Sequence, residues 1–171
     1  WHGPAGLHPG PGVHAQVSAA ARPRAQGLSA RASCVADQLT AAAQAEDVKM
    51  GIILGFTGPI ESLTPDMAAG AEMAISEANE SGQFLGGMTI EPVRADSTCV
   101  DAAAATAAAE RLITSDGVVS IMGADCSGVT TAVANNAAIP NGVVMISPSA
   151  TSPALTTIED NGLFFRTAPS D

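Results

Sequence analysis

The chain has 171 residues, 46% hydrophobic, 3% aromatic and 14% charged, with a formal net charge of −10 at pH 7. That length suits one α/β domain rather than two, and with no Tyr the core must come from Ala, Val, Ile, Leu and Met. Residues 46–171 set 16 acids against Lys49, Arg94, Arg111 and Arg166, a balance that repels phosphate backbones and argues against nucleic acid as a partner. No apolar run approaches the roughly 18–20 residues of a membrane helix, so the chain is not expected to span a membrane.

Residues 1–45 read differently from the rest. They lack Ile, Phe, Met, Lys, Glu and Tyr, and they open on a Gly/Pro/His-rich stretch with His2, His8 and His14 six residues apart. The expectation is a disordered or non-native leader outside the fold. Ala41 to Ala45 resembles a signal-peptidase site, but Arg31 and Asp37 interrupt the only candidate apolar region before it. Cys34 lies in this leader, whereas Cys99 and Cys126 lie in the body.

From Val48 the pattern alternates. Val48–Gly55 is a continuous β-rich apolar run, as expected of a strand buried on both faces. Thr64, Pro65 and Asp66 open a helix, with Thr64 as its cap and Met67, Ala71, Ala74, Ile75 and Ala78 on one face. Ser81-Gly82 closes it. Met88–Ala95 is a second strand, and Pro92 marks it as an edge or a bulge. An alanine-rich helix over Asp101–Ser115 stops at Asp116-Gly117. A strand at Val118–Met122, a helix at Ser127–Ala138 and a strand at Val143–Ile146 follow. A short helix at Pro153–Ile158 and a fifth strand at Leu163–Arg166 complete the series. Strand–helix alternation with short turns predicts a doubly wound, mostly parallel α/β sheet with helices on both faces.

Much chemistry is absent. There is no phosphate loop, no GxGxxG fingerprint and no GxSxG elbow. Residues 46–171 contain no histidine, so no Ser-His or Cys-His pair can form there, and Cys99 and Cys126 lack partners for a metal. No enzyme activity and no cofactor are expected.

What remains is a pair of hydroxyl-bearing loops. Ser127 follows the third strand, where a helix N-cap belongs, and Ser149 and Thr151 follow the fourth. If the two strands are parallel neighbours, both loops share the carboxyl edge, where open α/β sheets bind ligands. Ser127 and the free N–H groups behind it would seat an anion. With no Lys or Arg in either loop, a small carboxylate held by neutral dipoles is the expected ligand. Cys99 and Cys126 reach the same edge. They either pair, if their Cα atoms come within about 4.4–6.8 Å, or are independent buried thiols. Asp96 and Asp125 read as solvated loop charges.

These residues also carry a resemblance. Val48 to Pro59, the helix Met67 to Asn79 with Gly70-Ala71-Glu72, Ala95 to Cys99, Gly123 to Ser127, and Met145 to Leu155 together resemble the leucine/isoleucine/valine-binding proteins. Those are the extracytoplasmic substrate-binding components of ABC importers, and the likeness is to their N-terminal lobe. It implies a type I periplasmic-binding-protein fold, of which residues 46–171 form a partial lobe, the second lobe being absent. It implies a disulfide between Cys99 and Cys126. Ser127 and Thr151 fall on residues whose hydroxyls and amides hold the ligand's α-carboxylate, and Ser149 where a backbone carbonyl meets the α-ammonium. Leu63 falls near the ligand side chain, and Asp125 and Ala150, within the matching motifs, are counted with the ligand-binding residues. The implied ligand is an amino acid of the branched-chain type, the implied partner the importer's membrane permease, and the implied compartment the periplasm. A ligand-sensing domain of a receptor or regulator with the same fold is the alternative. Half a site encloses little of its ligand, so weak or undetectable binding by this chain alone is expected.

Overall fold

The structure is a computed structural model and describes residues 47–171. The expected leader over residues 1–45 lies outside the described residues. Five parallel strands form one sheet: β1 (Val48–Leu54), β2 (Ile90–Asp96), β3 (Ser120–Gly123), β4 (Val144–Ser147) and β5 (Phe164–Arg166), in the order β2-β1-β3-β4-β5. Helix α1 (Thr64–Ser81) joins β1 to β2, α2 (Ala102–Thr114) joins β2 to β3, and α3 (Ser127–Val133) leads from β3 towards β4. The predicted fold class is therefore the observed one, and Pro92 does sit on an edge strand, where its missing N–H is tolerated.

Alternation along β1 builds two cores, because successive side chains of a strand point to opposite faces. Ile53 faces α2 and α3 and packs with Leu112, Ile121, Val129, Val133 and Met145. Ile52 and Leu54 face α1 and pack with Ala68 and Ile75. Buried alanines (Ala105, Ala109, Ala134, Ala137 and Ala138) line much of the first core, whose one buried aromatic among the described residues is Phe164. Right-handed crossovers require this division. The chain turns one way from β1 to β2 and the other way through β3 and β4, so α1 falls on one face and the later helices on the other. The reversal lies between β1 and β3, the switch point where such sheets bind ligands.

Three details depart from expectation. Thr64 does not cap α1: it lies inside the helix, fully buried, and its hydroxyl donates to the Gly55 carbonyl at 3.1 Å, tying the helix start to the end of β1. The helix predicted over Ser127–Ala138 changes pitch, becoming a π segment at Ala134–Ala138. The short helix after Pro153 is a 3₁₀ turn, Pro153–Thr156. Other ends agree closely. Asp101 caps α2 by accepting from Ala103 and Ala104 N–H, each at 3.0 Å, and Gly82 closes α1 with φ of 62°, a left-handed conformation that glycine adopts without strain.

Met122, Ile146 and Phe165 stand in one row of the sheet by register, on the face that carries α1. Helix α1 reaches only part of that face, and Ile146 and Phe165 remain exposed among the described residues.

Two neighbours around β3 give a test of the core assignment. Ile121 is fully buried, whereas Val119 is 58% exposed. Ile121→Ala is expected to cost about 2–5 kcal/mol of unfolding free energy. Val119→Ser is expected to change it by about 0.5 kcal/mol or less. Urea unfolding followed by circular dichroism measures both; similar losses at the two positions would contradict the packing described.

Candidate ligand-binding site

At the carboxyl edge, the loops after β1, β2 and β3 converge on one carboxylate. Asp125 is 3% exposed. One of its oxygens accepts from Gly55 N–H at 2.6 Å, and the other accepts from Cys126 N–H at 2.8 Å and the Ser97 hydroxyl at 3.3 Å. A buried carboxylate is tolerable only with such donors. Asp125 is thus not the solvated loop charge expected from sequence: its side chain is turned into the protein, held by groups 70 and 28 residues distant in the chain.

Asp96, at the end of β2, is likewise engaged. It accepts from the Thr57 hydroxyl at 2.5 Å and from Thr98 N–H at 2.8 Å. Burial works against ionisation of Asp96, but bonds from the Thr57 hydroxyl and the amides of Thr98, Thr57 and Phe56 together outweigh it. Its pKa is held below the ordinary carboxyl value.

Above this clasp Cys99 and Cys126 form a disulfide with Cα atoms 5.2 Å apart. Strands β2 and β3 are not neighbours, so the bridge crosses over the end of β1. Gly55 lies beneath it. A Cβ there would stand 3.2 Å from Cys99 Cβ and 3.3 Å from an Asp125 oxygen, so a side chain would push against both.

The two hydroxyl-bearing loops do meet. Ser127 Oγ accepts from Thr151 N–H at 3.2 Å and from Ser152 N–H at 3.1 Å. It does not cap α3, as expected from sequence; Cys126 precedes the helix and makes no side-chain cap bond, and the Ser127 hydroxyl reaches across to the β4 loop instead. The Ser149 hydroxyl donates to the Asp125 carbonyl at 3.0 Å, bracing the same pair of loops. Ala150 is fully buried, with its N–H on Ser147 Oγ at 3.1 Å. Leu63 stands just before α1, 60% exposed, and makes no hydrogen bond to the β3 or β4 loop. Ser127, Ser149, Ala150 and Thr151 are therefore brought together, Asp125 underlies them, and Leu63 stands apart.

Two residues in this region were missed. The Thr151 hydroxyl donates to an Asp171 carboxylate oxygen at 2.8 Å. Arg166 donates to the Ser152 carbonyl at 2.9 Å, to the Ala150 carbonyl at 3.4 Å and to Thr156 Oγ1 at 2.6 Å. Arg166 was one of four basic residues in an acidic body, a signal that could have drawn notice. Nothing around Asp171 in the sequence marks it.

This sheet order, with polar loops gathered at the carboxyl edge, is that of a doubly wound α/β domain. The family described as periplasmic binding protein matches residues 47–171, and the chain belongs to it. Among curated relatives, the Leu/Ile/Val/Thr-binding protein of Salmonella typhimurium is 32% identical over 131 residues, covering 77% of this chain and 35% of its own length. The Leu/Ile/Val-binding protein of Escherichia coli K12 is 31% identical over the same coverage. The chain thus spans about a third of the length of these relatives. Among solved structures, the branched-chain amino acid transporter substrate binding protein LivJ of Streptococcus pneumoniae, in complex with isoleucine, superposes with a TM-score of 0.66 at 30% identity, covering 72% of this chain and 34% of that one. A solute binding protein of an ABC transporter from R. palustris, in complex with 4-hydroxybenzoate, gives a TM-score of 0.61 at 26% identity, covering 72% and 32%.

Two outcomes follow from the clasp. Asp125→Ala strands two amides and a hydroxyl, and at ~1–3 kcal/mol for each buried unpaired donor the loss should reach at least about 3 kcal/mol in denaturant unfolding. An Asp125→Ala protein as stable as the parent would show the clasp to be idle. For Asp96 the sign follows from its lowered pKa: its contribution is present in full above the unfolded value and is lost as pH falls through the folded one. Urea midpoints taken from about pH 5 down to about pH 2 should therefore fall less steeply in Asp96→Asn than in the parent. Parallel curves would remove Asp96 from the acid response.

Proposed function

We propose that this chain supplies one wall of an amino-acid site in the extracytoplasmic solute-binding component of an ABC importer. The observation that carries the reading is the double acceptance by Ser127. With Thr151 and Ser152 amides on its oxygen, the hydroxyl has its hydrogen left to donate. An uncharged donor aimed from a switch-point edge suits a carboxylate, and no Lys or Arg of the two loops competes for it. The first amides of α3 (Ser127, Gly128 and Val129) have no acceptor among the described residues, as at any helix start, and add donors beside that hydroxyl.

The ammonium side is acceptor-rich. Among the described residues no donor reaches the Ser149 carbonyl. Thr151 commits its amide to Ser127 and its hydroxyl hydrogen to Asp171, so it offers a ligand only the lone pairs of its hydroxyl oxygen. Ligand and wall thus match in polarity: donors for the acid group, acceptors for the amine. The ligands named in similar structures, isoleucine and 4-hydroxybenzoate, share only the carboxylate, which supports placing recognition of that group on this wall. On this reading the protein is periplasmic, non-enzymatic and served by a membrane permease. An aliphatic amino acid is the ligand, and binding shifts an open–closed equilibrium.

One wall covers part of a ligand, so the full chain should bind L-leucine or L-isoleucine at about 1 mM or weaker. Amide signals of Ser127 and Thr151 are expected to move in nuclear magnetic resonance titrations, saturably. Ser127→Ala should weaken the response about tenfold or more, the scale of one hydrogen bond to a charged group. No response to any α-amino acid, or an equal response without the Ser127 hydroxyl, would overturn the reading.

A further inference from the structure

The β4 loop, Ser147 to Ser152, hangs from the segment that follows β5. Thr167 N–H donates to the Ser147 carbonyl at 3.0 Å and the Thr167 hydroxyl to the Pro148 carbonyl at 3.1 Å. Arg166 Nη1 donates to the carbonyls of Ala150 at 3.4 Å and Ser152 at 2.9 Å, and Asp171 N–H to that of Thr151 at 3.0 Å. The Ser149 carbonyl is the one in this loop that no donor of the described residues reaches.

Planar trans peptides turn these bonds into a statement about direction. In such a unit the C=O and the following N–H point opposite ways. The Ala150–Thr151 unit has its carbonyl on Arg166 and its N–H on Ser127 Oγ. The Thr151–Ser152 unit has its carbonyl on the Asp171 N–H and its N–H again on Ser127 Oγ. Two successive peptides are gripped from behind and present their N–H groups to the hydroxyl in front. From this geometry we infer that Arg166 is a positioning residue of the ligand site: it aims the Thr151 amide at Ser127 through the Ala150 carbonyl and, by also holding the Ser152 carbonyl, grips the peptides on either side of the unit that carries the Ser152 amide, leaving the Ser149 carbonyl unclaimed.

Arginine suits the task for a reason of shape. Its rigid fork carries five donors in one plane and spans separated acceptors, here two carbonyls and the Thr156 hydroxyl, while its charge cannot be lost by deprotonation. A lysine in its place keeps the charge but concentrates its donors at one point. No carboxylate pairs with Arg166 among the described ion pairs, so its charge is directed at the loop. The positive end therefore lies behind the peptides, and their dipoles extend that polarity towards the hydroxyl and the proposed carboxylate. This inference rests on the amino-acid reading above for its ligand, but not for its geometry.

The experiment uses the full chain and its Arg166→Met and Arg166→Lys variants, with amide hydrogen exchange read residue by residue. Thr151 and Ser152 should exchange about tenfold or more faster in Arg166→Met, with Arg166→Lys in between, while Ile52 and Ile121 keep their parental protection. In the same samples, titration with L-leucine should weaken about tenfold in Arg166→Met and less in Arg166→Lys. If Thr151 and Ser152 exchange at the parental rate in both variants, the inference falls whatever leucine does. If exchange rises as expected but the parent itself ignores leucine, the amino-acid reading fails and the aiming of the two amides stands. A global loss of protection in Arg166→Met passes the comparison to Arg166→Lys, where exchange that rises equally at Ile121 and Thr151 would reduce Arg166 to a general stabiliser.

Discussion

Gly55 N–H, Cys126 N–H and the Ser97 hydroxyl all end on the carboxylate of Asp125, inside the protein. Removing such a charge from water costs several kcal/mol, and only multiple short donors offset it. The constraint this sets is geometric. The end of β1, the loop after β2 and the loop after β3 must all approach one point before any of them can be satisfied. Gly55 has no side chain because that point lies against it, and the disulfide closes over the same spot. Ser127 comes two residues after Asp125, so its position is inherited from a clasp that has nothing to do with ligand.

A second set of restraints governs the partner loop. The Ser147 hydroxyl donates to the Ala124 carbonyl at 2.6 Å, and the Ser149 hydroxyl to the Asp125 carbonyl. The loop is thus bonded to the β3 edge in front and to Arg166, Thr167 and Asp171 behind. A loop held on both sides loses little further freedom when a ligand arrives, which is the condition for neutral dipoles to bind a carboxylate usefully. Hydroxyls here serve mostly as braces. Of the serine and threonine hydroxyls once considered ligand-facing, only that of Ser127 retains its hydrogen.

The legible part of this architecture was the part written in local chemistry. The apolar run in β1, the capping Asp101, Gly82 and the edge-marking Pro92 each act within a few residues of themselves, and each behaved as its type suggests. Adjacency of β3 and β4 followed from short crossovers of one hand. The errors share a cause. Thr64, Ser127, Asp96 and Asp125 were read by their neighbours in sequence, as caps or solvated charges, whereas each also bonds to a segment beyond its own element. Asp125 is 70 residues from Gly55, and Ser127 24 from Thr151. A hydroxyl at a helix start has a default local partner, and nothing in the sequence shows that a better one has been brought to it by the sheet. Asp171 and Arg166 were missed for the same reason: their roles exist only once β5 lies beside β4.

The distribution of polar groups also separates two tasks that recognition of an amino acid combines. Every group gathered at Ser127, Ser149 and Thr151 suits the atoms common to all α-amino acids, and none is shaped to a side chain. Leu63 and Val100 are exposed apolar residues of the neighbouring loops, but neither is bonded into the braced assembly. On the proposed reading, a wall that meets only the shared acid and amine accepts many ligands, and discrimination falls to surfaces outside it. Solved structures similar to this chain at 26 to 30% identity hold ligands as unlike as isoleucine and 4-hydroxybenzoate. The clasp and the braces are demanding to build; on the proposed reading they serve the carboxylate those ligands have in common, and a side-chain pocket elsewhere can change without disturbing them.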